Sequence, residues 1–65
     1  MGRNKEIERQ FIKALAQNVR DKVFIITSLQ IADTDEKRKE IIEFLNDNPE
    51  SSKKEIEEKL FYMSI

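Results

Sequence analysis

"VFIITSLQI", residues 23–31, is the least polar stretch of the chain, and its reading decides the fold. Composition favours a strand, because Val23, Ile25, Ile26, Thr27 and Ile31 are β-branched. Phase favours a helix. Upstream, residues 4–20 carry Ile7, Phe11, Ala14, Leu15 and Val19 at spacings of three and four, one stripe at about 100° per residue. Ile25, Ile26 and Leu29 continue that stripe. Lys22 interrupts it, although a lysine stem can lie along apolar surface. No turn signal separates the two segments, and a strand needs a partner strand for which the chain offers no second candidate. The stretch is therefore read as helix; the strand reading stands only if two chains pair.

Downstream, "ADTDEK" opens a second helix. Asp33 with Glu36 fits a capping box, in which side chains and backbone groups satisfy each other at a helix start, and Thr34 is the alternative cap. The helix is expected over about residues 35–46, with Ile41, Ile42, Phe44 and Leu45 as its apolar positions. It ends at "NDN", because Pro49 pushes the residue before it out of helical geometry. Ser52 with Glu55 forms another capping box and opens a last helix carrying Ile56, Leu60, Phe61 and Met63. The expected architecture is all-α: one domain over residues 1–65, with a long N-terminal helix and a two-helix hairpin packed on it. No internal repeat or low-complexity segment is visible.

This size is marginal for a lone core, and small domains are usually helped by disulfides, metals or association. The chain has no cysteine and no histidine, which leaves association. A stripe from Ile7 to Leu29 runs for about 33 Å, whereas each short helix spans about 18 Å. The excess predicts a homodimer through Ile7, Phe11, Leu15, Val19, Ile26 and Leu29. Phe24 and Ile31 fall off the stripe on nearly one bearing and are the expected contact for a partner protein, since an exposed apolar patch can mark a binding surface. Leu29→Asp is expected to break the fold or the dimer, and Phe24→Asp only partner binding. Ser51 is expected to be exposed and Ser52 to be the cap.

Charge adds little. Formal net charge is −1, so the whole molecule has no bulk attraction to nucleic acid. Residues 1–22 hold six Lys/Arg against three acids, and residues 33–65 hold six against ten. Arg3, Lys5, Arg9, Lys13, Arg20 and Lys22 spread along the first segment. Arg9, Lys13 and Arg20 roughly share a side away from the stripe and are the expected phosphate contacts if the partner is nucleic acid. The only aromatic near that bearing is Phe24. The dense acids of "DTDEK" and "EIEEK" read as helix starts and solvated faces, where a helix dipole favours negative charge. Thr27 and Ser28 lack a histidine to activate them, so no enzymatic activity, cofactor or metal is expected. Gly2 is followed by Glu6 where a myristoylation signal wants Ser or Thr. No signal peptide or membrane span is read, and a soluble, cytoplasmic protein is expected.

Residues 36–61, "EKRKEIIEFLNDNPESSKKEIEEKLF", resemble the first two helices of a winged helix-turn-helix domain. A helix ending in a run like "EFLNDNP" is followed by a Ser-capped helix like "SSKKEIEEKL". The match is one of spacing and apolar positions over roughly 40% of the chain, and any helix–Asn-Pro–helix hairpin shares it. In that family a recognition helix follows and enters the major groove; here the sequence stops at "FYMSI", so no base-reading residue carries over. The resemblance implies descent from, or excision from, such a domain. A ribbon-helix-helix dimer would instead use residues 23–30 as its paired strand, presenting Phe24, Ile26, Ser28 and Gln30, which is poor base-reading chemistry. The favoured function is thus a small regulatory or interaction module that presents a helix face to itself and to another protein. A small DNA-binding regulator is the alternative.

Overall fold

The structure, a computed structural model, describes residues 4–65; the expectations touching Gly2 and Arg3 lie outside them. The described residues form four α-helices and no strand: α1 Lys5–Asn18, α2 Lys22–Ile31, α3 Asp35–Asp47 and α4 Lys53–Ser64. The apolar stretch 23–31 is helical, which removes the paired strand that a ribbon-helix-helix dimer needs.

The single long helix expected over residues 4–29 is two helices. Val19 is extended, at φ −136° and ψ 110°. Asp21 is extended too and caps the next helix, its carboxylate accepting from the amides of Val23 at 3.0 Å and Phe24 at 3.2 Å. The amide of Phe24, with Lys53 Nζ at 3.4 Å, holds the Asp21 carboxyl below its ordinary pKa. The break needs neither glycine nor proline. An Asp that satisfies two orphan amides starts a new helix, and the β-branched Val19 is at ease in extended geometry.

The two halves of the molecule are helical hairpins laid side by side. At one end the Asn4 amide donates to the Asp35 carboxylate at 3.1 and 3.2 Å. At the other, Asn18 Nδ2 donates to the carbonyls of Pro49 at 3.0 Å and Ser51 at 2.9 Å. Start lies beside start and end beside end, so α1 and α3 run parallel. The same holds for α2 and α4, where Asp21 meets Lys53 at the starts and Ile31 shares a cleft with Phe61 near the ends.

The core lies between the hairpins. Phe11, Leu15 and Val19 come from the α1 side, Phe24 and Ala32 from α2 and its end, Ile41 and Leu45 from α3, and Ile56 and Leu60 from α4. Ser28 is fully buried among them, and its hydroxyl donates to the Phe24 carbonyl at 2.7 Å. That bond satisfies the hydroxyl, as a buried polar group requires. The Cα radius of gyration is 10.5 Å, close to the roughly 10.7 Å expected of a compact domain of this length. The chain therefore closes a core without a second copy.

Side chains cap the helix starts, and two expectations are corrected: the Asp33–Glu36 capping box and the exposure of Ser51. Asn4 Oδ1 accepts from the amides of Glu6 and Ile7. Ser52 and Glu55 form the expected capping box. Thr34, the alternative cap, is the one used at α3, accepting from the Lys37 amide. Asp33 instead pairs with Lys37 Nζ at 3.4 Å. Ser51, expected to be exposed, is buried, with its hydroxyl on the Asn48 carbonyl at 2.7 Å. It closes the Pro49 turn, so the two serines hold opposite sides of one junction.

Candidate interaction site

The sequence offered α1 and α2 as the functional surface, and the packing redirects attention to α4. The stripe assigned to a dimer is largely occupied within the chain: Phe11, Leu15 and Val19 are core, and Ile7 and Leu29 are half-buried. Of that set only Ile26 is exposed. Phe24, assigned to a partner, is 7% exposed and sits in the core, and Ile31 packs against it. The cause of both corrections is the break at Val19–Asp21. It rotates α2 relative to the stripe of α1, so the Phe24 side of α2 turns inward and the Val23 and Ile26 side turns out.

Helix α4 carries two apolar stripes. Ile56, Leu60 and Met63, at spacings of four and three, face the core. Phe61 and Tyr62 fall on the opposite side with Glu58, at i, i+3 and i+4, and Ile65 follows the helix. Phe61 is 58% exposed, Tyr62 is 81% exposed and Ile65 is fully exposed. The sequence reading placed Phe61 with the core positions; one helical step of 100° puts it at the rim. An amphipathic helix has one apolar stripe, and a helix apolar on two sides is normally buried on both.

The outer stripe borders a groove between α3 and α4. Lys37, Glu40 and Phe44 line it from α3, and Lys59, Tyr62 and Met63 from α4. Lys59 bridges it, with its Nζ 3.0 Å from the Glu40 carboxylate and 5.8 Å from the centre of the Phe44 ring. Phe44 is thereby half-covered, whereas Tyr62 is not.

Elsewhere the exposed surface is more ordinary. Val23 and Ile26, one turn apart on α2, are also exposed, at 73% and 56%; apolar atoms make up much of any folded protein's surface. The residues assigned to phosphate contacts do not form one line. Arg9 and Lys13 are exposed one turn apart on α1, around the half-buried Ile12 with Lys5 and Glu8. Arg20 lies in the break before α2 and leaves their bearing.

One functional group in the fold was missed altogether. Arg38, in the charged run "EKRKE", is 3% exposed. Its guanidinium donates to the carbonyls of Ala32 and Leu29 and lies over the Phe11 ring. Its Nη1 has no hydrogen-bond partner and stands 3.8 Å from Glu8. The pattern that could have found it is its position three residues before Ile41 and seven before Leu45, on the inner face of α3.

Among the described residues, no group of three or more acids gathers where it could hold a metal ion. No helix among them is long and apolar enough to cross a membrane. No protein-family model matches the chain, and neither a curated protein nor a solved structure does.

Proposed function

We propose that this protein is a small, non-enzymatic regulatory module that binds another polypeptide through the outer face of α4. The observation that carries the reading is the exposure of Phe61 and Tyr62 beside the α3–α4 groove. Aromatic side chains combine large contact area with few rotatable bonds and dominate protein interfaces. The non-enzymatic part rests on inventory: a chain without histidine or cysteine has lost the usual base and thiol nucleophile. The charges beside the stripe are of both signs, which suits a protein surface better than a phosphate backbone.

A DNA-binding regulator is the second reading, supported by the exposed Arg9 and Lys13 and by the resemblance of residues 36–61. One experiment separates the two. A photo-crosslinking phenylalanine analogue is placed at Tyr62 in one variant and at Arg9 in another, and both are illuminated in the native host. Protein adducts at position 62, insensitive to nuclease, are expected. Nucleic-acid adducts at position 9 with none at position 62 overturn the proposal.

A further inference from the structure

We propose that the cleft over Arg38, where α1, α2 and α3 meet, binds a primary carboxamide, carried by a small molecule or by an Asn or Gln side chain. The site lies apart from α4 and is independent of the interaction face proposed there.

The first observation is a donor without an acceptor. Arg38 is 3% exposed. Its Nε donates to the Ala32 carbonyl at 2.7 Å and its Nη2 to the Leu29 carbonyl at 3.2 Å. Its Nη1 is buried and has no hydrogen-bond partner. Buried polar groups are satisfied as a rule, and stranding one on a charged side chain is costly. The Glu8 carboxylate stands 3.8 Å away, beyond hydrogen-bond reach.

The second observation is that this pair borders an open cleft. Glu8 lines it from α1, Ile26, Leu29 and Gln30 from α2, Asp33 from the loop that follows and Arg38 from α3. The Glu8 side chain is 42% exposed and belongs to no other ion pair among the described residues. A change of rotamer therefore lets a ligand reach Nη1 and breaks no second ion pair.

The charges of the cleft select the ligand. Its occupant must accept a hydrogen bond from Nη1. An anion can do so, but it then lies against the Glu8 carboxylate, with Asp33 on the same cleft. Lys37 compensates Asp33 at 3.4 Å; Glu8 has only Arg38. A cation suits Glu8 and cannot accept from Nη1. A primary carboxamide answers both groups and adds no charge. Its carbonyl oxygen accepts from Nη1, and the N–H on the same edge donates to the Glu8 carboxylate. An ordinary peptide group cannot do this, because the trans bond puts its oxygen and its N–H on opposite sides. Ile26 and the half-buried Leu29 give an apolar wall for whatever carries the amide.

The test titrates isobutyramide into the purified full chain by proton–nitrogen NMR, read at Arg38 Nε and at the amides of Leu29 and Gln30. Saturable shifts are expected, with a Kd of about 1–10 mM, within reach of so small a ligand. N-methylisobutyramide, isobutyrate and isobutylamine bind at least tenfold more weakly. Glu8→Ala weakens isobutyramide binding about tenfold or more, the order of one charged hydrogen bond. Glu6→Ala, at an exposed position on the same turn, leaves it unchanged. Should Glu8→Ala fail to fold, the comparison of the four compounds on the wild-type chain still decides. Capped peptides with a central Gln or Met separate the sources. Binding of the Gln peptide at least as tight as that of isobutyramide assigns the site to a protein side chain; binding of isobutyramide alone assigns it to a small molecule. No saturation by about 100 mM isobutyramide, or equal binding of isobutyrate, overturns the site. A Tyr62 cross-link to another protein is unaffected by either result.

Discussion

Arg38 Nε donates to the carbonyl oxygen of Ala32 at 2.7 Å, six residues back along the chain. The same guanidinium reaches the Leu29 carbonyl at 3.2 Å. Leu29 and Ala32 lie at the end of α2, where the last carbonyls of a helix lack partners and the dipole favours a cation. Arg38 satisfies two of them from inside α3 and lies 6.0 Å from the centre of the Phe11 ring on α1. One side chain thus ties three helices.

Replacing it tests that role. Arg38→Met keeps the apolar stem against Phe11 and strands the two carbonyls. A cost of about 2–3 kcal/mol is expected, the order of lost charged hydrogen bonds, with a fall in Tm of roughly 10 °C or more for a domain this small. Arg38→Lys recovers only part, because a point charge cannot reproduce the planar fork. A melting curve of Arg38→Met within about 1 °C of wild type, far inside that expectation, contradicts the role.

The α2 register predicts two classes of substitution on neighbouring residues. Phe24→Asp unfolds the protein, because it places an unpaired charge in the core. Val23→Asp, one residue away and 73% exposed, stays within about 0.5 kcal/mol of wild type, as surface changes do. Urea unfolding of both variants decides the matter; equal stability would place α2 in the wrong rotation.

At the α3–α4 junction, Ser52→Ala costs about 1 kcal/mol through loss of a cap, and Ser52→Gly only a few tenths. Ser51→Ala also costs on the order of 1 kcal/mol, through the part-buried bond to the Asn48 carbonyl. The two serines are therefore comparable under alanine substitution. A thermal melt in which Ser51→Ala is silent would place its hydroxyl in water.

Acid should loosen the start of α2. The folded-state pKa of Asp21 is lowered, chiefly by the Phe24 amide, from an ordinary value of 3.8. The stabilisation is in full force above that ordinary value. It is lost as pH falls through the lower folded value, when the carboxylate protonates. The Tm difference between wild type and Asp21→Asn should hold steady above about pH 5 and shrink below it. A difference that grows on acidification has the wrong sign for this assignment.

How much of this was legible in the residues depends on where each signal lived. The helix starts at Thr34 and Ser52 and the stop before Pro49 rest on local chemistry and can be read directly. The helical nature of residues 23–31 followed from phase and the missing partner strand. The break at Val19–Asp21 was hidden because a lone Asp in a charged sequence gives the same letter whether it caps a helix or faces water. The misplaced residues of α2 descend from that one residue: once Asp21 restarts the helix, Phe24 turns inward. Arg38 and Ser51 were unreadable for a related reason, since their burial depends on carbonyls and side chains supplied by other segments. Phe61 and Tyr62 could be seen as aromatic, but their exposure depends on which side of α4 the two hairpins cover.

The chain covers the inner side of "VFIITSLQI" with its own helices and leaves Phe61 and Tyr62 exposed on the outer face of α4. Tyr62 is the only tyrosine, so its ring protons are a unique probe of that face. The most direct measurement is proton–carbon NMR with a soluble paramagnet added, following Tyr62, Val23 and Phe24 together. The Tyr62 and Val23 signals are predicted to broaden, while those of the buried Phe24 stay sharp. Broadening of Phe24 with Tyr62 and Val23 unaffected would contradict that placement.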